Sequence, residues 1–353
     1  MMKVLLAAPL FPGNIWQYIA DAFIQLNIEV ELFDYRSHIY GQNYYGNVSH
    51  SILSRIINKA NRYRRSHRMN RGFIDRVLNG KPDIVLVIKG ELFLPKTIYF
   101  LRQNSHSKLV LWFPDSSTFL GPQSTIQNIV NSLSFYELVL FCDPDHVPAN
   151  LLKQIDRYEM LTFGCHPPIH RTMMLTDYEM QQYESDICFI GNSHFKGSHR
   201  ERTIEAILAN GFNLRCWGSN WTNTTLFKQY PNNFAGPVYG ETMVKIYNAS
   251  KIILNINGDY PYLNVRNFEA PACGTCTITS AVKDLDKYFI PGKEVVAFES
   301  ISDVINKLDY YLSDNKARKN IAIAGQKRAH RDHTLQKRMA ELLELIDFQD
   351  AAH

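Results

Sequence analysis

Short apolar runs alternate with segments of helical periodicity along the whole chain. Each run is too short for a buried helix, so each predicts a buried strand, and the run at 252–256 is also rich in β-branched residues. The runs lie at 3–8, 29–33, 83–88, 108–113, 136–141, 158–162, 186–190, 214–217, 251–256, 275–279 and 294–298. Between them, apolar residues at helical spacing, such as Ile15, Ile19 and Phe23, predict amphipathic helices. Strands that alternate with helices indicate an α/β protein with parallel sheets.

The length of 353 residues suits two such domains of roughly 150 residues each. We expect a Rossmann-like N-terminal domain over 1–165 and an interdomain linker over 166–185. A second Rossmann-like domain is expected over 186–330, with a C-terminal helix and tail over 331–353. The first strand and helix lack the glycine fingerprint of dinucleotide-binding proteins, so NAD binding is not supported.

The stretch over 251–280 combines a strand, a polar loop, a short helix and a second strand. In parallel sheets, ligands bind at the carboxyl ends of the strands, and a helix N-terminus suits a phosphate. Glu269 can accept hydrogen bonds from a ribose diol, and Arg266, one turn earlier on the same face, can pair with a diphosphate. The spacing alone is equally consistent with a partly buried structural Arg–Glu pair.

The longer context of this stretch resembles a known enzyme family. The sequence R-x-F-E-A-x-A-C-G over 266–274, followed by a strand and then by F-I-P-G-K-E over 289–294, resembles the spore-maturation-type (CgeB-like) glycosyltransferases. The resemblance implies a GT-B fold, in which two Rossmann-like domains face each other across a cleft, with Glu269 at the nucleotide ribose. A similar H-T-x-x-x-R element, here His333, Thr334 and Arg338, occurs in the family's last helix, which in GT-B folds often crosses back onto the first domain.

A glycine loop early in the second domain is the candidate phosphate site. Gly191 and Asn192 follow a predicted strand, and Lys196 and Arg200 come before the next helix. Backbone N–H groups after Gly191 and these basic side chains could hold a diphosphate. The resembling family has a similar strand end followed by an Arg that opens a helix, which Gly191 and Arg200 match.

Two further features of the sequence bear on recognition of the nucleobase and on the stereochemistry of sugar transfer. In GT-B donor domains, a loop at the position of Val238 and Tyr239 lies beside the base, so backbone groups there are candidates to read it, although Tyr239 is also consistent with ordinary packing. Many retaining GT-B enzymes carry a second Glu eight residues before the ribose Glu. Pro261 occupies that position here, so a retaining mechanism of that type is not supported.

The first domain offers candidates for the acceptor side and for catalysis. Gly13 and Asn14 follow the first strand and would lie at the carboxyl edge of the sheet, facing the cleft. Asp115 lies just beyond a strand end, where it is either a general base for an acceptor hydroxyl or the N-cap of the next helix. His166, at the expected domain crossing, is either catalytic or structural.

A long helical stretch over 52–78 is strongly basic, with Asp75 as its acid. Its basic residues are Arg55, Lys59, Arg62, Arg64, Arg65, Arg68, Arg71 and Arg76. This pattern fits a solvated helix face, and it also fits a patch for an anionic acceptor, a membrane surface or nucleic acid.

Composition adds few constraints. The formal net charge of +4 is mild, and six scattered cysteines favour a reducing compartment, so we expect a cytoplasmic protein. No stretch approaches the roughly 20 apolar residues of a membrane span. The Cys273–Cys276 pair and the His330–His333 pair lack partners at zinc-site spacing, so we expect no metal site and no cofactor.

Together these features predict a metal-independent glycosyltransferase. It would move a sugar from a nucleotide-sugar, with a UDP-sugar as the expected donor, to an unidentified acceptor hydroxyl. An anionic glycan, a lipid-linked acceptor and nucleic acid all fit the basic helix. The alternatives are a nucleotide-sugar epimerase on the same fold and a non-catalytic protein that binds a nucleotide or nucleic acid.

Overall fold

The computed structural model describes residues 1–10, 13–40, 52–116, 120, 126–193, 196–257 and 262–347. The chain forms two compact units, the first comprising Met1–Thr162 with Met339–His353 and the second Phe163–Arg338. Each unit contains its own parallel six-stranded sheet with helices, so the predicted α/β class with two Rossmann-like units is confirmed.

The first sheet has the strand order β2-β1-β3-β4-β5-β6, with every pairing parallel. Its strands are β1 (Lys3–Ala8), β2 (Glu29–Asp34), β3 (Ile84–Ile88), β4 (Lys108–Phe113), β5 (Leu138–Phe141) and β6 (Tyr158–Met160). Every residue of β3 and β5 is buried, because both faces of a parallel sheet are covered. The strand order reverses between β1 and β3, so the loops after these two strands border a crevice at the sheet edge.

Helices cover the first sheet, and the long basic helix is among them. They are α1 (Ile15–Gln25), α2 (Ser37–Tyr40), α3 (Ile52–Gly80), α4 (Pro95–Asn104), α5 (Gln127–Val130) and α6 (Ala149–Leu152), with 3-10 turns at Leu133–Phe135 and Pro144–His146. Helix α3 is anchored by Met69, Phe73 and Val77, which recur at helical spacing and are buried against Phe33 and Phe93. This apolar stripe leaves Arg64, Arg68 and Arg71 toward solvent.

The second sheet has the order β12-β11-β10-β7-β8-β9, again with every pairing parallel. Its strands are β7 (Ser185–Ile190), β8 (Leu214–Trp217), β9 (Phe234–Ala235), β10 (Ser250–Asn255), β11 (Cys276–Ser280) and β12 (Val296–Phe298). The order reverses between β7 and β10. Ligands of open α/β sheets bind outside the carboxyl ends of the strands at such a switch point.

The helices of the second unit follow the expected alternation. They are α7 (Asp177–Tyr183), α8 (His199–Ala209), α9 (Thr225–Gln229), α10 (Gly240–Asn248), α11 (Arg266–Ala272), α12 (Leu285–Tyr288), α13 (Ile301–Ser313) and α14 (Asn315–Asp332), with 3-10 turns at Trp221–Asn223 and Pro231–Asn233. The last helix, α15 (Leu335–Asp347), begins in the second unit, and from Met339 onward it groups with the first.

The segment expected to link the domains is packed within the second unit. Ile169, Met173 and Tyr183 lie against the buried cluster that contains Tyr247 and Cys273. The second unit therefore begins at Phe163, and residues 163–185 contribute to its core. None of the helices in the described ranges is both long and apolar enough to cross a bilayer.

Candidate functional site

Helix α11 begins at the switch point of the second sheet. A cluster of polar side chains holds the residues that precede it. The Asn264 Oδ1 accepts hydrogen bonds from the N–H of Arg266 (2.8 Å) and of Asn267 (3.3 Å), which caps the first turn. The cluster comprises Asn255, Asn257, Asn264, Asn267 and Thr279, joined by side-chain hydrogen bonds of 3.0–3.5 Å, such as Asn267 Nδ2 to Thr279 Oγ1 (3.0 Å) and Thr279 Oγ1 to Asn257 Oδ1 (3.5 Å). Pro261 lies outside the described residues.

A glycine ends α11 for a steric reason. Gly274 has φ +74°, and a Cβ there would lie 2.5 Å from Thr172 Oγ1 and 2.9 Å from Gln326 Nε2. Both the left-handed backbone and the close packing therefore require glycine. This C-terminal anchor and the amide cluster fix the helix at both ends.

Glu269 is buried on this helix, with 4% of its surface exposed. Its Oε1 lies 3.6 Å from His170 Nε2, and no hydrogen bond reaches its carboxylate from any residue that the structure describes. Burial raises the pKa of the Glu269 carboxyl to about 7, and the nearby Arg266 guanidinium opposes this effect. The carboxylate is therefore held out of water with few protein partners, which suits recognition of hydroxyl groups.

Arg266 lies one turn before Glu269 on α11. Within the described ranges no ion pair joins the two side chains, and the buried Nε of Arg266 has no hydrogen-bond partner there. The close structural Arg–Glu pair that the spacing allowed is thus not formed. The guanidinium keeps unused donor capacity beside a helix N-terminus, as a diphosphate ligand requires.

The loop after β7 is bound into the fold more tightly than its sequence suggests. The Gly191 N–H donates to Trp217 O (2.8 Å), and the Ser193 N–H donates to Ser219 O (3.0 Å). The Asn192 side chain accepts from the Ser219 N–H (2.8 Å). One of the backbone donors expected to hold a diphosphate, the Ser193 N–H, is thus engaged in pairing with the neighbouring loop.

Arg200 spans the switch point. Its guanidinium donates to Asn192 O (2.7 Å) and to Ile256 O (3.0 Å), and it lies 5.5 Å from the centroid of the Phe189 ring. The residue is 8% exposed. Arg200 therefore joins the carboxyl ends of β7 and β10, and any role in phosphate binding would add to this structural one.

Lys196 borders a polar cavity of about 460 Å³ in the second unit. Its lining residues are Ser193, Lys196, Glu201, Asn220, Asn223, Thr224, Thr225 and Lys228. Glu201 is 5% exposed and accepts a hydrogen bond from the Gly197 N–H. Lys228 is a second cation at this cavity, and no motif in the sequence marks it.

Val238 and Tyr239 precede α10. Val238 is half-buried against the cluster that contains Trp217 and Met243, whereas 45% of the Tyr239 surface is exposed. Their exposure is compatible with base recognition, which stays a prediction.

The first-unit candidates lie in loops at the carboxyl ends of their strands. Asn14 caps α1, because its Oδ1 accepts from the Trp16 N–H (2.9 Å) while its Nδ2 donates to Pro9 O (2.7 Å). Gly13 has φ +76° and donates its N–H to Gln17 Oε1 (3.2 Å). The polar groups of this loop therefore shape the turn into α1.

Asp115 follows β4 and pairs with Lys89, which follows β3, at 2.6 Å between Oδ2 and Nζ. Asp115 is partly exposed, with a relative side-chain exposure of 40%. The alternative that it caps a following helix falls on 117–119 and 121–125, outside the described residues. Its role as a general base stays a prediction.

His166 is buried at the start of the second unit and begins a turn. Its carbonyl accepts the N–H groups of Ile169 (2.9 Å) and His170 (2.8 Å), and its own N–H donates to His170 Nδ1 (2.9 Å). The side chain is 4% exposed. The turn places His170, which sequence reasoning did not select, next to Glu269.

The histidines near the C-terminus are also held by local contacts. His330 Nε2 lies 2.8 Å from His170 O, and His333 Nε2 lies 2.6 Å from Tyr288 O. Arg338 donates from Nε to Phe163 O (3.0 Å). Among the residues that the structure describes, no group of three His, Cys, Asp or Glu side chains is arranged to bind a metal ion.

The basic helix presents several charges to solvent. Arg64, Arg68 and Arg71 are exposed, whereas Arg65 donates to Ile39 O (3.2 Å) and Arg76 pairs with Glu31. The structure does not describe the side chains of Arg55, Lys59 and Arg62. The exposed arginines form a cationic face on α3.

Comparison with known proteins bears on the fold and on the class of enzyme. Residues 200–344 match the model of a family described as glycosyl transferase-like. A search of curated protein sequences gives no significant match. Among solved structures, sucrose-phosphate synthase from Thermosynechococcus elongatus is similar at a TM-score of 0.70 and 14% identity, with 100% of both chains covered.

Two further solved structures contain nucleotides. HepE of Anabaena in complex with UDP-glucose has a TM-score of 0.66 at 12% identity, covering 98% of this chain and 100% of HepE. An alpha-glucosyltransferase in complex with UDP and a DNA 13-mer containing an HMU base has a TM-score of 0.67 at 11% identity, covering 98% and 99%. The predicted GT-B fold and the predicted glycosyltransferase class are confirmed.

Proposed function

We propose that this glycosyltransferase moves a sugar from a UDP-sugar to an acceptor hydroxyl and that it is related to the CgeB-like enzymes. The buried Glu269 carboxylate on α11, at the switch point of the second sheet, carries this proposal. A carboxylate in that position can accept both hydroxyls of a ribose. The R-x-F-E-A-x-A-C-G sequence of α11 supports the narrower family assignment.

Arg266 and Lys196 would bind the diphosphate in this scheme. Both are cations of the second unit, and Arg266 retains an unpartnered buried Nε among the described residues. Positive charge held at the leaving diphosphate stabilises the transition state without a dedicated metal ion. Arg200 would keep the β7 and β10 ends in place, and the backbone near Val238 and Tyr239 would contact the base.

The catalytic base is proposed to come from the first unit. Asp115 is partly exposed beyond β4, where its Oδ2 pairs with Lys89 Nζ at 2.6 Å. An inverting reaction would use Asp115 to deprotonate the acceptor hydroxyl. His166, with its side chain buried in a turn, is a weaker candidate for this role.

The acceptor is proposed to be anionic and the reaction to take place in the cytoplasm. The exposed Arg64, Arg68 and Arg71 on α3 favour a polyanion, and the similar alpha-glucosyltransferase holds DNA. If nucleic acid binds this face, log affinity should fall linearly with log salt concentration, and Arg68→Ala should reduce the slope by about one phosphate contact. Salt-independent binding, or none, would remove nucleic acid as the acceptor.

Nucleotide titration by calorimetry tests the donor site. UDP, GDP, dTDP and CMP would be compared with wild type, Glu269→Ala and the exposed control Glu241→Ala. We expect UDP to bind best and Glu269→Ala to lose roughly 1–3 kcal/mol of binding free energy, with the control unchanged. No binding of any nucleotide, or equal affinity in Glu269→Ala, would overturn the proposal.

A further inference from the structure

The imidazole of His170 is in a fixed tautomeric state. It is 0% exposed, and its Nδ1 accepts the backbone N–H of His166 at 2.9 Å. A ring nitrogen that accepts a hydrogen bond carries no proton. The neutral imidazole therefore has its hydrogen on Nε2.

That Nε2–H group faces the ribose carboxylate. Nε2 lies 3.6 Å from Glu269 Oε1, slightly beyond hydrogen-bond distance, with both side chains buried. A small shift of Glu269 toward His170 would close the distance. In a buried setting, the N–H dipole already favours negative charge on the nearest carboxylate oxygen.

The position of the ring is determined by contacts at both ends of its turn. The His170 N–H donates to His166 O at 2.8 Å, and the His170 carbonyl lies 2.8 Å from His330 Nε2 on α14. The turn is thus attached to a helix distant in sequence. Because the backbone of His170 is held by these contacts, Nε2 of its imidazole stays directed toward Glu269.

His170 stays neutral in this environment. Burial first, and then the charges of His166, Arg266 and His330, lower its pKa to about 3. Of the charged groups nearby, the Arg266 guanidinium lowers the pKa of Glu269, whereas burial keeps Tyr247, Cys165 and Cys273 neutral.

We propose that His170 is a positioning residue that, through Nε2–H, orients the Glu269 carboxylate and favours its ionised form for ribose recognition. This inference rests on the proposed donor site. His170 itself does not contact the nucleotide in this scheme, since its ring is fully buried. It acts through Glu269.

Two substitutions separate this role from simple packing. His170→Gln keeps an N–H donor close to the Nε2 position, whereas His170→Phe keeps a planar ring and removes the donor. UDP affinity would be measured by calorimetry across the pH range for wild type and both variants. We expect His170→Phe to weaken UDP binding about tenfold near neutral pH and to move its acidic loss of affinity upward by about one pH unit, while His170→Gln stays within about threefold.

A double-mutant cycle tests the route of the effect. In a Glu269→Gln background, where no carboxylate remains to orient, His170→Phe should cause little further loss of UDP affinity. Additive losses, or equal effects of His170→Gln and His170→Phe with an unmoved pH profile, would overturn the positioning role.

A nucleotide-free measurement distinguishes this inference from the donor-site proposal. Comparing the pH dependence of stability in wild type and Glu269→Gln reports the Glu269 pKa without UDP, and repeating it with His170→Phe should show that pKa about one unit higher. An unchanged pKa would refute the influence of His170, even in a protein that binds UDP. A protein that binds no nucleotide but shows the pKa change would refute the donor site alone.

Discussion

Replacing Glu269 by Gln should make the nucleotide-free protein more stable while weakening its ligand binding. The carboxyl is 4% exposed, and burial raises its pKa from an ordinary 4.5 to about 7. Gln has nearly the same shape and, like the protonated carboxyl, carries one acceptor and one donor. The substitution therefore removes the cost of a buried negative charge without opening a cavity.

The magnitude follows from the change in pKa. The difference between 4.5 and about 7, at about 1.4 kcal/mol per unit, corresponds to about 3 kcal/mol of folding free energy. Because the folded-state pKa is raised, the stability that comes from the neutral carboxyl is fully present below about pH 4.5 and is lost as the pH rises toward 7. Glu269→Gln should thus match wild type near pH 4.5 and exceed it by about 3 kcal/mol near pH 8.

Other groups titrate over the same range with the opposite sign. The pKa of His170 is lowered to about 3 and that of His333 to about 4, mainly by burial, so each contributes stability that is lost as the pH falls below 6.5. The His333 contribution is present in both proteins. The difference between wild type and Glu269→Gln therefore reports the carboxyl together with its coupling to the neighbouring His170.

Urea unfolding of the nucleotide-free protein measures this difference. Each unit contains two buried tryptophans, Trp16 and Trp112 in the first and Trp217 and Trp221 in the second. Tryptophan fluorescence therefore reports both units, and its comparison with far-UV circular dichroism tests for separate transitions. Glu241→Gln is the matched control, because that carboxylate is exposed on α10 and pairs with Lys245 at the surface. It should change stability by less than about 1 kcal/mol at either pH. Equal or lower stability of Glu269→Gln near pH 8 would refute the buried-charge reasoning.

Three further predictions concern Gly274, which ends α11, Arg200, which joins β7 to β10, and Lys196, which borders the polar cavity of the second unit. Gly274→Ala should cost about 2 kcal/mol or more in urea unfolding, because strain and close contacts combine there, whereas Gly211→Ala, with φ +80° and no atom within 4 Å, should cost about 1 kcal/mol. Arg200→Met should lose about 2–4 kcal/mol of stability, since it leaves two carbonyls without their charged donor, and a near-neutral effect would argue against the bridging role. Lys196→Ala should raise the Kd for UDP about three- to tenfold in calorimetry, with an unchanged free energy of unfolding. Lys251→Ala, near the amino end of β10, should leave the Kd unchanged.

The repeating features of the fold could be predicted from the sequence. Buried strands of parallel sheets are continuous apolar runs, so β3, β4 and β10 stand out from their flanks. Helix α11 was placed by its motif and its terminal glycine. By contrast, the attachment of 163–185 to the second unit depends on the packing of Ile169 and Met173, which no local pattern reveals.

The candidate site was only partly visible in the sequence. The charge of Arg200 in a loop predicts a phosphate ligand. In the structure, its guanidinium donates to two backbone carbonyls, and one of them belongs to Ile256, far along the chain. His170 was not selected, because a lone histidine in a turn carries no signal. Its contact with Glu269 depends on tertiary structure, which joins residues widely separated in sequence.

The buried polar groups at the switch point are difficult to explain by stability alone. Asn255, Asn257 and Asn267 satisfy one another there, where apolar residues would pack at lower cost. Glu269 has no such compensation from the described residues, and its charge costs about 3 kcal/mol near pH 8, worked from its raised pKa. Because the isosteric change to Gln would lower the cost of burial, the presence of Glu269 is better explained by what its carboxylate binds.

A ribose diol would donate two hydrogen bonds to this carboxylate and lower its pKa. The Glu269 carboxyl would therefore release a proton when the nucleotide binds. Calorimetry of UDP binding near pH 6.5 in buffers of different ionisation enthalpy should therefore show proton release, which Glu269→Gln should abolish. Buffer-independent binding heats would mean that the carboxyl does not ionise when the nucleotide binds.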